Sequence, residues 1–247
     1  MLVSERQTLI LQLLNEQNSM SVQQLMDATN SSESTIRRDL TELERLRKLE
    51  RIHGGATLRD LSATEKTYDE KSVEQLNEKQ KIAAYAASLV QDGDCIFLDA
   101  GTTAYQMIPH LANKQIIVVT NSLTHLSLLH QFAVKTYVIG GLLKNNTQAF
   151  IGANATMALK QYHFDKCFLG VNGFDELAGY TTADPEEASV KAQAIKQSDR
   201  AYALADFSKY KILKFSKIAS IEEAVVITDG PEQLLHRLFE KTEVVCL

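Results

Sequence analysis

The stretch SSESTIRRDLTELERL, residues 31–46, decides how the N-terminal part of the chain folds. Ile36, Leu40 and Leu43 follow the i, i+4, i+7 spacing of one buried helix face. Ser32 can cap this helix, because its hydroxyl can accept a backbone N–H of the first turn. The opposite face carries hydroxyl and guanidinium side chains, from Ser34, Thr35, Arg37, Arg38, Thr41 and Arg45. The stretch therefore predicts a short helix that is anchored on one face and polar on the other.

The polar face of this helix has two interpretations. Arginines bind phosphates and guanine edges, and small hydroxyls fit close to bases, so the face offers what a DNA groove requires. A charged face is equally typical of an ordinary helix in contact with solvent. The segments on either side of the helix separate the two interpretations.

Two further helices precede it. Residues 5–17 have a helical apolar pattern, and Ser21 can cap a second helix over residues 22–28. A tight turn at residues 29–31 leads from there into the helix already described. Three short helices with a tight turn before the last are typical of a helix-turn-helix unit, whose last helix enters a DNA groove.

A hairpin follows the helix. Gly54 and Gly55 separate two short β-capable runs within LERIHGGATL, residues 49–58. A hairpin at this position is a wing, and it would bring Arg51 and His53 to the DNA backbone or the minor groove. The alternative for His53 is a hydrogen bond that supports the turn. Together, the helices and the wing favour DNA binding for the polar face.

The composition is typical of a soluble globular protein, with 247 residues of which 45% are hydrophobic and 23% charged. There is no apolar run of about 18 residues, so no membrane span is expected, and the N-terminus lacks the pattern of a secretory signal. Cys95, Cys167 and Cys246 lie in separate apolar runs, which predicts buried free thiols rather than a disulfide or a metal site. We expect a cytoplasmic protein without a metal or a cofactor.

The formal net charge of −5 argues against a protein that binds nucleic acid by charge alone. The charge is unevenly distributed, however, because residues 34–53 carry six basic and four acidic side chains. A basic edge on an otherwise acidic protein weakens non-specific binding to DNA, so the affinity depends on correct docking of the basic face.

The rest of the chain alternates apolar runs with helical segments. Residues 59–76 are polar and have no apolar period, which predicts a linker. Seven apolar runs follow, at residues 95–98, 116–119, 136–139, 167–171, 201–204, 224–227 and 244–246. Helical segments lie between most of them, at residues 102–111, 123–130, 149–160, 185–196 and 231–241. This alternation predicts a mostly parallel α/β sheet covered on both faces. The predicted domains are a winged helix-turn-helix over residues 1–58, a linker over 59–76 and an α/β domain over 77–247.

Ligands of open α/β sheets gather at the carboxyl ends of the strands, and polar residues follow five of the predicted strands. In LDAGTT, residues 98–103, free backbone N–H groups, two hydroxyls and a positive helix end would favour a phosphate. Taken alone, the same pattern is typical of a plain strand-to-helix turn. The candidate ligands at the strand ends are Asp99, Gly101, Thr102, Thr103, Asn121, Ser122, Gly140, Asn172, Gly173, Asp206 and Lys209. We expect these residues to share one polar pocket.

A further stretch, GYTTADPEEASVK at residues 179–191, suits a sugar as well as a phosphate. Glu186 and Glu187 could accept hydrogen bonds from sugar hydroxyls, and Lys191 could hold a phosphate. One of the two glutamates would only complement the helix dipole, and the pattern does not say which. Glu186 and Lys191 are the candidate ligands from this stretch.

TIRRDL and RIHGGA, within residues 35–56, resemble the winged helix of the DeoR family of bacterial sugar-metabolism repressors. DAGTT, TNS, the Gly-Gly pair, GVNG and the SK of ADFSK resemble the sensor domain of that family, which is similar in fold to ribose-5-phosphate isomerase. The runs FIGANA, YHFDKCFLGVNGFD and GYTTADPEEASVK most resemble repressors of fructose phosphotransferase operons. The chain departs from the family pattern at Met26, Ser31, Arg47 and Phe207.

The resemblance implies a repressor of a sugar-utilisation operon that has fructose 1-phosphate as its effector. Because a single recognition helix buries too little surface for operator selectivity, we expect at least a homodimer. Its partners would be double-stranded operator DNA and the phosphorylated sugar. The alternative is a sugar-phosphate isomerase, which would need a general base such as Glu186, Glu187 or Asp206 beside the substrate carbon. Because an isomerase has no use for a winged helix, we predict a repressor without enzymatic activity.

Overall fold

The computed structural model describes residues 2–17, 19–46, 48–52, 54–58 and 65–247. The chain divides into two units, Met1–Asp60 and Leu61–Leu247. Arg47 and His53 lie outside the described residues, as do residues 59–64 of the predicted linker.

The first unit is a winged helix-turn-helix. Its elements are α1 (Val3–Gln17), β1 (Ser19–Ser21), α2 (Val22–Thr29), α3 (Glu33–Arg45), β2 (Leu49–Ile52) and β3 (Gly55–Leu58). Ser21 caps α2 and Ser32 caps α3, each by accepting a backbone N–H of the first turn. Ile36, Leu40 and Leu43 are all buried in the core of this unit. The predicted helix and its buried face are therefore confirmed.

The sequence does not predict β1, because its three residues, SMS, contain one apolar side chain and show no strand pattern. This strand pairs antiparallel with β3, which also pairs with β2. The hairpin is thus part of a three-stranded sheet in the order β1-β3-β2.

A buried ion pair joins α1 to α3. Arg6 donates its Nε to Asp39 Oδ2 at 2.5 Å, and the two side chains are 9% and 2% exposed. Removing either partner would leave a charge buried without compensation, so this contact helps to hold α3 in place.

The second unit is an α/β fold. In chain order it contains α4 (Tyr68–Val73), α5 (Leu76–Ser88), β4 (Cys95–Leu98), α6 (Thr102–Met107), β5 (Ile117–Thr120), α7 (His125–Gln131), β6 (Lys135–Val138), β7 (Leu142–Lys144), β8 (Ala149–Ile151), α8 (Ala153–Leu159), β9 (Phe164–Gly170), β10 (Gly173–Asp175), β11 (Gly179–Thr182), α9 (Pro185–Lys196), β12 (Ser198–Leu204), β13 (Ser216–Ala219), β14 (Val225–Thr228), α10 (His236–Phe239) and β15 (Val244–Cys246). Short 3₁₀ turns lie at Ile108–Leu111, Phe207–Lys209, Ile221–Glu223 and Glu232–Leu234.

All seven runs that the sequence predicts as strands join one parallel sheet, in the order β15-β14-β12-β9-β4-β5-β6. Apolar side chains cover both faces of this sheet: Phe97 belongs to the cluster on one face and Ile96 to the cluster on the other. The predicted α/β class is confirmed.

Five short strands outside this sheet are not predicted by the sequence. β7 and β8 form an antiparallel hairpin, and β10, β11 and β13 form an antiparallel sheet. The helix predicted over residues 149–160 begins only at Ala153, because residues 149–151 pair with β7 instead. The helix predicted over residues 231–241 is a 3₁₀ turn followed by the short α10.

Residues 65–76 of the predicted linker belong to the second unit, where they form α4 and the start of α5. No residue of α4 is buried, and the N–H of Tyr68 donates to the carbonyl of Asn146 at 2.7 Å. The contacts of this segment are polar, so an apolar period could not reveal them.

Candidate functional site

The polar face of α3 carries most of the predicted DNA-binding side chains. Ser34, Arg37, Arg38 and Thr41 are exposed, and Thr35 is partly buried. Arg37 pairs with Glu33 at 2.7 Å, whereas Arg38 makes no hydrogen bond or ion pair with any residue that the structure describes. Arg51 of β2 donates its Nη1 to Thr41 Oγ1 at 3.0 Å. The wing and α3 therefore present one continuous polar surface.

The carboxyl ends of β12, β9, β4, β5 and β6 lie side by side, because these strands are parallel neighbours in the sheet. Each of them is followed by a loop that carries predicted ligands. The topology thus brings the five polar loops to one edge of the sheet.

Asp99 follows β4 at this edge. Its Oδ2 accepts the N–H of Gly170 at 2.9 Å and a hydrogen bond from Lys191 Nζ. The side chains of Asp99 and Lys191 are 2% and 9% exposed. Burial by itself lowers the pKa of Lys191, but the charges of Asp99 and Glu187 outweigh it and raise that pKa. Lys191 therefore keeps its charge although it is buried.

A second cation at this edge, which the sequence does not predict as a ligand, is the partly buried Lys144 of β7. Its Nζ lies 2.6 Å from Glu65 Oε2 and 3.0 Å from Glu187 Oε1. It also lies 2.9 Å from Asp184 Oδ2. Burial opposes the charge of Lys144, but these carboxylates raise its pKa.

Glu186 and Glu187, both on α9, lie in different surroundings. Glu187 is buried and accepts a hydrogen bond from Thr147 Oγ1 at 2.6 Å, whereas Glu186 is exposed. Consecutive residues of an α-helix point about 100° apart, so only one of the two can face the sheet. Glu187 is therefore the one of the two that joins the buried charges of this edge, and the assignment of Glu186 as a ligand stays a prediction.

Glu65 comes from the predicted linker and is also held within this edge, with 4% of its side chain exposed. Its Oε1 accepts hydrogen bonds from Lys71 Nζ and, at 3.2 Å, from Asn172 Nδ2. Burial alone would raise the pKa of Glu65, but Lys71 and Lys144 lower it to about 2. We call the three acidic and three basic side chains at this edge the charged cluster: Glu65, Lys71, Asp99, Lys144, Glu187 and Lys191.

Two buried side chains at the same edge have polar atoms without a partner. Asn121 Oδ1 and both ring nitrogens of His125 make no hydrogen bond with the described residues. Burial lowers the pKa of His125 to about 4 against the opposing effects of the Asp99 charge and of the nearby Gly101 backbone, so its ring is neutral at pH 7. Buried polar atoms are ordinarily paired, so these atoms indicate a place for a polar ligand. The sequence signal for His125 was its position at the start of the helix that follows TNS.

Four other predicted ligands are buried at this edge, namely Thr102, Thr103, Ser122 and Asp206. Ser122 Oγ shares a hydrogen bond with Thr124 Oγ1 at 2.9 Å, and Asp206 Oδ1 accepts the N–H of Ser208 at 3.2 Å. Both side chains are therefore partly satisfied by their own loops.

The remaining predicted ligands are not fully buried polar side chains. Gly140 is exposed, with open space around it, and Lys209 is partly buried. At Gly173 a Cβ would lie 2.0 Å from the carbonyl oxygen of Ile212, so this glycine is required by close packing. Phe207, where the family pattern differs, packs against the hydrophobic core.

A cavity of about 310 Å³ opens beside the charged cluster. Its walls are Glu65, Lys144, Asn146, Ala183, Asp184, Pro185 and Phe215. This volume is at the lower end of small-molecule sites. A small ligand that enters it meets Glu65 and Lys144 directly.

Within the described residues, no helix has both the length and the apolar character needed to cross a membrane. The same residues contain no group of three His, Cys, Asp or Glu side chains that could hold a metal ion. Cys95, Cys167 and Cys246 are free; Cys167 is buried and the other two are partly buried.

A winged helix joined in one chain to an α/β unit with a polar pocket defines a DNA-binding regulator that responds to a small molecule. Residues 6–61 match the family model described as "DeoR-like helix-turn-helix domain". Residues 74–230 match the family model described as "DeoR C terminal sensor domain". The chain belongs to the DeoR family of transcriptional regulators, and it is a regulator rather than an enzyme.

Relatives match along almost the whole chain. The chain is 45% identical to the uncharacterized HTH-type transcriptional regulator FruR of Bacillus subtilis, over 99% of this chain and 98% of that protein. It is 34% identical to the HTH-type transcriptional repressor GlcR of Bacillus subtilis, over 98% of this chain and 95% of that protein. It is 33% identical to the lactose phosphotransferase system repressor of Streptococcus mutans, over 98% of each chain.

Among solved structures, ribose 5-phosphate isomerase A from Methanocaldococcus jannaschii is similar to 56% of this chain and 55% of its own. The sequence identity is 20% and the TM-score is 0.42. That likeness is too distant to bear on function.

Proposed function

We propose that this protein represses a sugar-utilisation operon and that fructose 1-phosphate, bound at the charged cluster, lowers its affinity for the operator. The observation that carries the proposal is the concentration of buried charged and unpartnered polar groups at one sheet edge of a DNA-binding regulator. Buried ion pairs often add nothing to stability, because the desolvation penalty can exceed the Coulombic gain. Their concentration at one edge therefore favours a role in binding a polar ligand.

The chemistry of the cluster suits both parts of a sugar phosphate. Lysines pair with phosphate oxygens, and carboxylates accept hydrogen bonds from sugar hydroxyls. A neutral His125 has one donor and one acceptor nitrogen, and Asn121 Oδ1 is an acceptor, so both suit a hydroxyl group. A phosphorylated sugar is therefore the class of ligand that these groups favour.

The choice of sugar rests on sequence. Residues 150–155, 162–175 and 179–191 resemble repressors of fructose phosphotransferase operons. The relatives named as lactose phosphotransferase system repressors support control by sugar uptake through phosphotransfer. Fructose 1-phosphate is the phosphorylated sugar that agrees with both.

On DNA, α3 would lie in the major groove, with Ser34, Thr35, Arg37, Arg38 and Thr41 towards the bases and phosphates, and Arg51 and His53 of the wing on the backbone. One recognition helix buries too little surface for operator selectivity, so the active form would be at least a homodimer. The effector would act by linkage, because it binds one global state of the protein better than the DNA-competent state.

A thermal-shift panel of phosphorylated sugars tests the proposal. A ligand at 100 times its Kd stabilises the native protein by about 2.7 kcal/mol, so fructose 1-phosphate should raise the midpoint while fructose and inorganic phosphate raise it far less. A strong shift with another sugar phosphate would change the effector, and no shift with any would reject the sensor role.

Two substitutions at one glycine locate the ligand. A Cβ at Gly101 would lie 3.4 Å from Gly170 Cα and 3.6 Å from Asp99 Oδ2, so alanine fits but the branches of valine intrude on the pocket. We expect Gly101→Val to lose the shift with fructose 1-phosphate and keep operator binding, and Gly101→Ala to keep both. An undiminished shift in Gly101→Val would place the phosphate elsewhere.

A further inference from the structure

Each lysine of the charged cluster already has a carboxylate partner. Lys191 pairs with Asp99, Lys71 pairs with Glu65, and Lys144 contacts both Glu65 and Glu187. A phosphate dianion that uses these ammonium groups adds negative charge to a buried site. Because buried like charges repel strongly, one carboxylate has to leave when the phosphate binds.

Glu65 is the carboxylate that can leave at the smallest cost in packing. Asp99 directly follows a central strand and Glu187 lies on α9, whose inner face is buried against the sheet. The helix next to Glu65, α4, buries none of its residues. Its segment is held by polar contacts: those of the Glu65 carboxylate, the hydrogen bond from Tyr68 N–H to Asn146 O at 2.7 Å, and one from Lys79 Nζ to the carbonyl of Lys71.

The hydrogen-bond donors around the Glu65 carboxylate resemble those of a phosphate-binding site. Its two oxygens accept hydrogen bonds from two ammonium groups, of Lys71 and Lys144, and from the amide of Asn172. These are the donor types that hold a phosphate. Glu65 also lines the cavity through which a small ligand reaches Lys144.

From this geometry we infer that Glu65 is an internal competitor of the effector: its carboxylate occupies the phosphate-binding lysines, and the effector's phosphate displaces it and releases residues 65–73. The inference rests on the proposed function and adds the route by which the site acts on the rest of the chain. Glu65 follows Leu58, the last residue of the wing strand β3, by seven positions in sequence. Its release therefore changes the segment that connects the sensor unit to the wing.

An internal competitor weakens effector binding, because the effector can bind only while the site is free. The apparent Kd equals the intrinsic Kd divided by the fraction of protein whose site is free. If Glu65 occupies the lysines about 90% of the time, its removal tightens effector binding about tenfold. If Glu65 competes with the effector, replacing it tightens effector binding. If Glu65 contacted the sugar directly, replacing it would weaken effector binding.

The test uses the full chain as wild type, Glu65→Gln and Asp69→Asn. The glutamine keeps the shape of Glu65 and removes its charge. Asp69 is the control, since it is exposed in the first turn of α4 and its change removes the same charge from the same segment. Calorimetry measures the Kd of fructose 1-phosphate, and hydrogen exchange follows residues 65–73, with the Tyr68 amide as the reporter of docking.

We expect Glu65→Gln to bind fructose 1-phosphate about tenfold more tightly than wild type, with Asp69→Asn unchanged. Saturating fructose 1-phosphate should speed exchange at Tyr68 in the wild type, and Glu65→Gln should show that faster exchange without ligand. Weaker or equal binding by Glu65→Gln, or slower exchange at Tyr68 with ligand, overturns the inference alone. If neither protein binds any sugar phosphate, the proposed function fails and the inference fails with it.

Discussion

The buried pair of Asp99 and Lys191 allows a quantitative test of how the sensor unit is held together. In Lys191→Met the aliphatic stem is kept, so no large cavity forms, but Asp99 loses its only ammonium partner among the described residues. The carboxylate then keeps the N–H of Gly170, at 2.9 Å, as its remaining hydrogen bond. Breaking one side of a buried ion pair costs about 3–5 kcal/mol.

A double variant isolates the electrostatic part of that cost. In Asp99→Asn with Lys191→Met both charges are gone, and the Asn oxygen can still accept the Gly170 N–H. We expect the double variant to be less destabilised than the sum of the two single variants, by about 2 kcal/mol or more.

Urea unfolding followed by tyrosine fluorescence measures these values for the sensor unit alone, because all eight tyrosines lie between residues 68 and 210 and the chain has no tryptophan. With a slope of about 2–3 kcal/mol per M for a unit of this size, the midpoint of Lys191→Met should fall by roughly 1–2 M. A loss below about 1 kcal/mol, or strictly additive single variants, would show that the pair is not buried and coupled as described.

Three further predictions concern the ring of His125, the ion pair of α1 with α3, and the DNA-binding face. Burial lowers the pKa of His125 from 6.5 to about 4, so the unfolded chain binds the extra proton between those values and stability falls as pH drops through them. His125→Phe should remove about 2 kcal/mol of the loss between pH 7 and pH 5, measured by tyrosine-monitored unfolding, and an unchanged pH slope would contradict this. Arg6→Met leaves Asp39 buried without a partner among the described residues and should destabilise the winged helix by about 3–5 kcal/mol; helical circular dichroism should register the loss while the tyrosine transition stays unchanged, and a shifted tyrosine transition would refute it. Arg38→Ala should weaken operator binding by about 1–3 kcal/mol with the effector's thermal shift preserved, and loss of both would indicate misfolding instead.

Sequence periodicity predicts the elements that are decided by apolar burial. The helix of residues 31–46 and six of the seven parallel strands follow from their own side chains, since one face or both faces of each are buried. The seventh, β6, lies at the sheet edge and is largely exposed, but its apolar residues still mark it as a strand. The strands β1, β7 and β10 contain no run of three apolar residues, and they form because a partner strand lies beside them. That placement is decided by the whole fold, so a local pattern cannot show it.

The candidate site divides in the same way. Strand-end loops are predictable, because parallel topology brings them to one edge. Glu65 and Lys144 are not, since they lie 79 positions apart and meet only through the fold. The choice between Glu186 and Glu187 depends on how α9 is rotated towards the sheet, and the sequence of that helix leaves both orientations open.

Operator binding at constant ionic strength, titrated with fructose 1-phosphate, tests the central claim most directly. A labelled duplex that contains the operator is followed by fluorescence anisotropy with the full chain, and fructose serves as the control. The account predicts that saturating fructose 1-phosphate weakens the affinity about tenfold or more, within the usual range of allosteric coupling, while fructose has no effect. Unchanged operator affinity, at a concentration where the thermal shift shows that fructose 1-phosphate is bound, would contradict it.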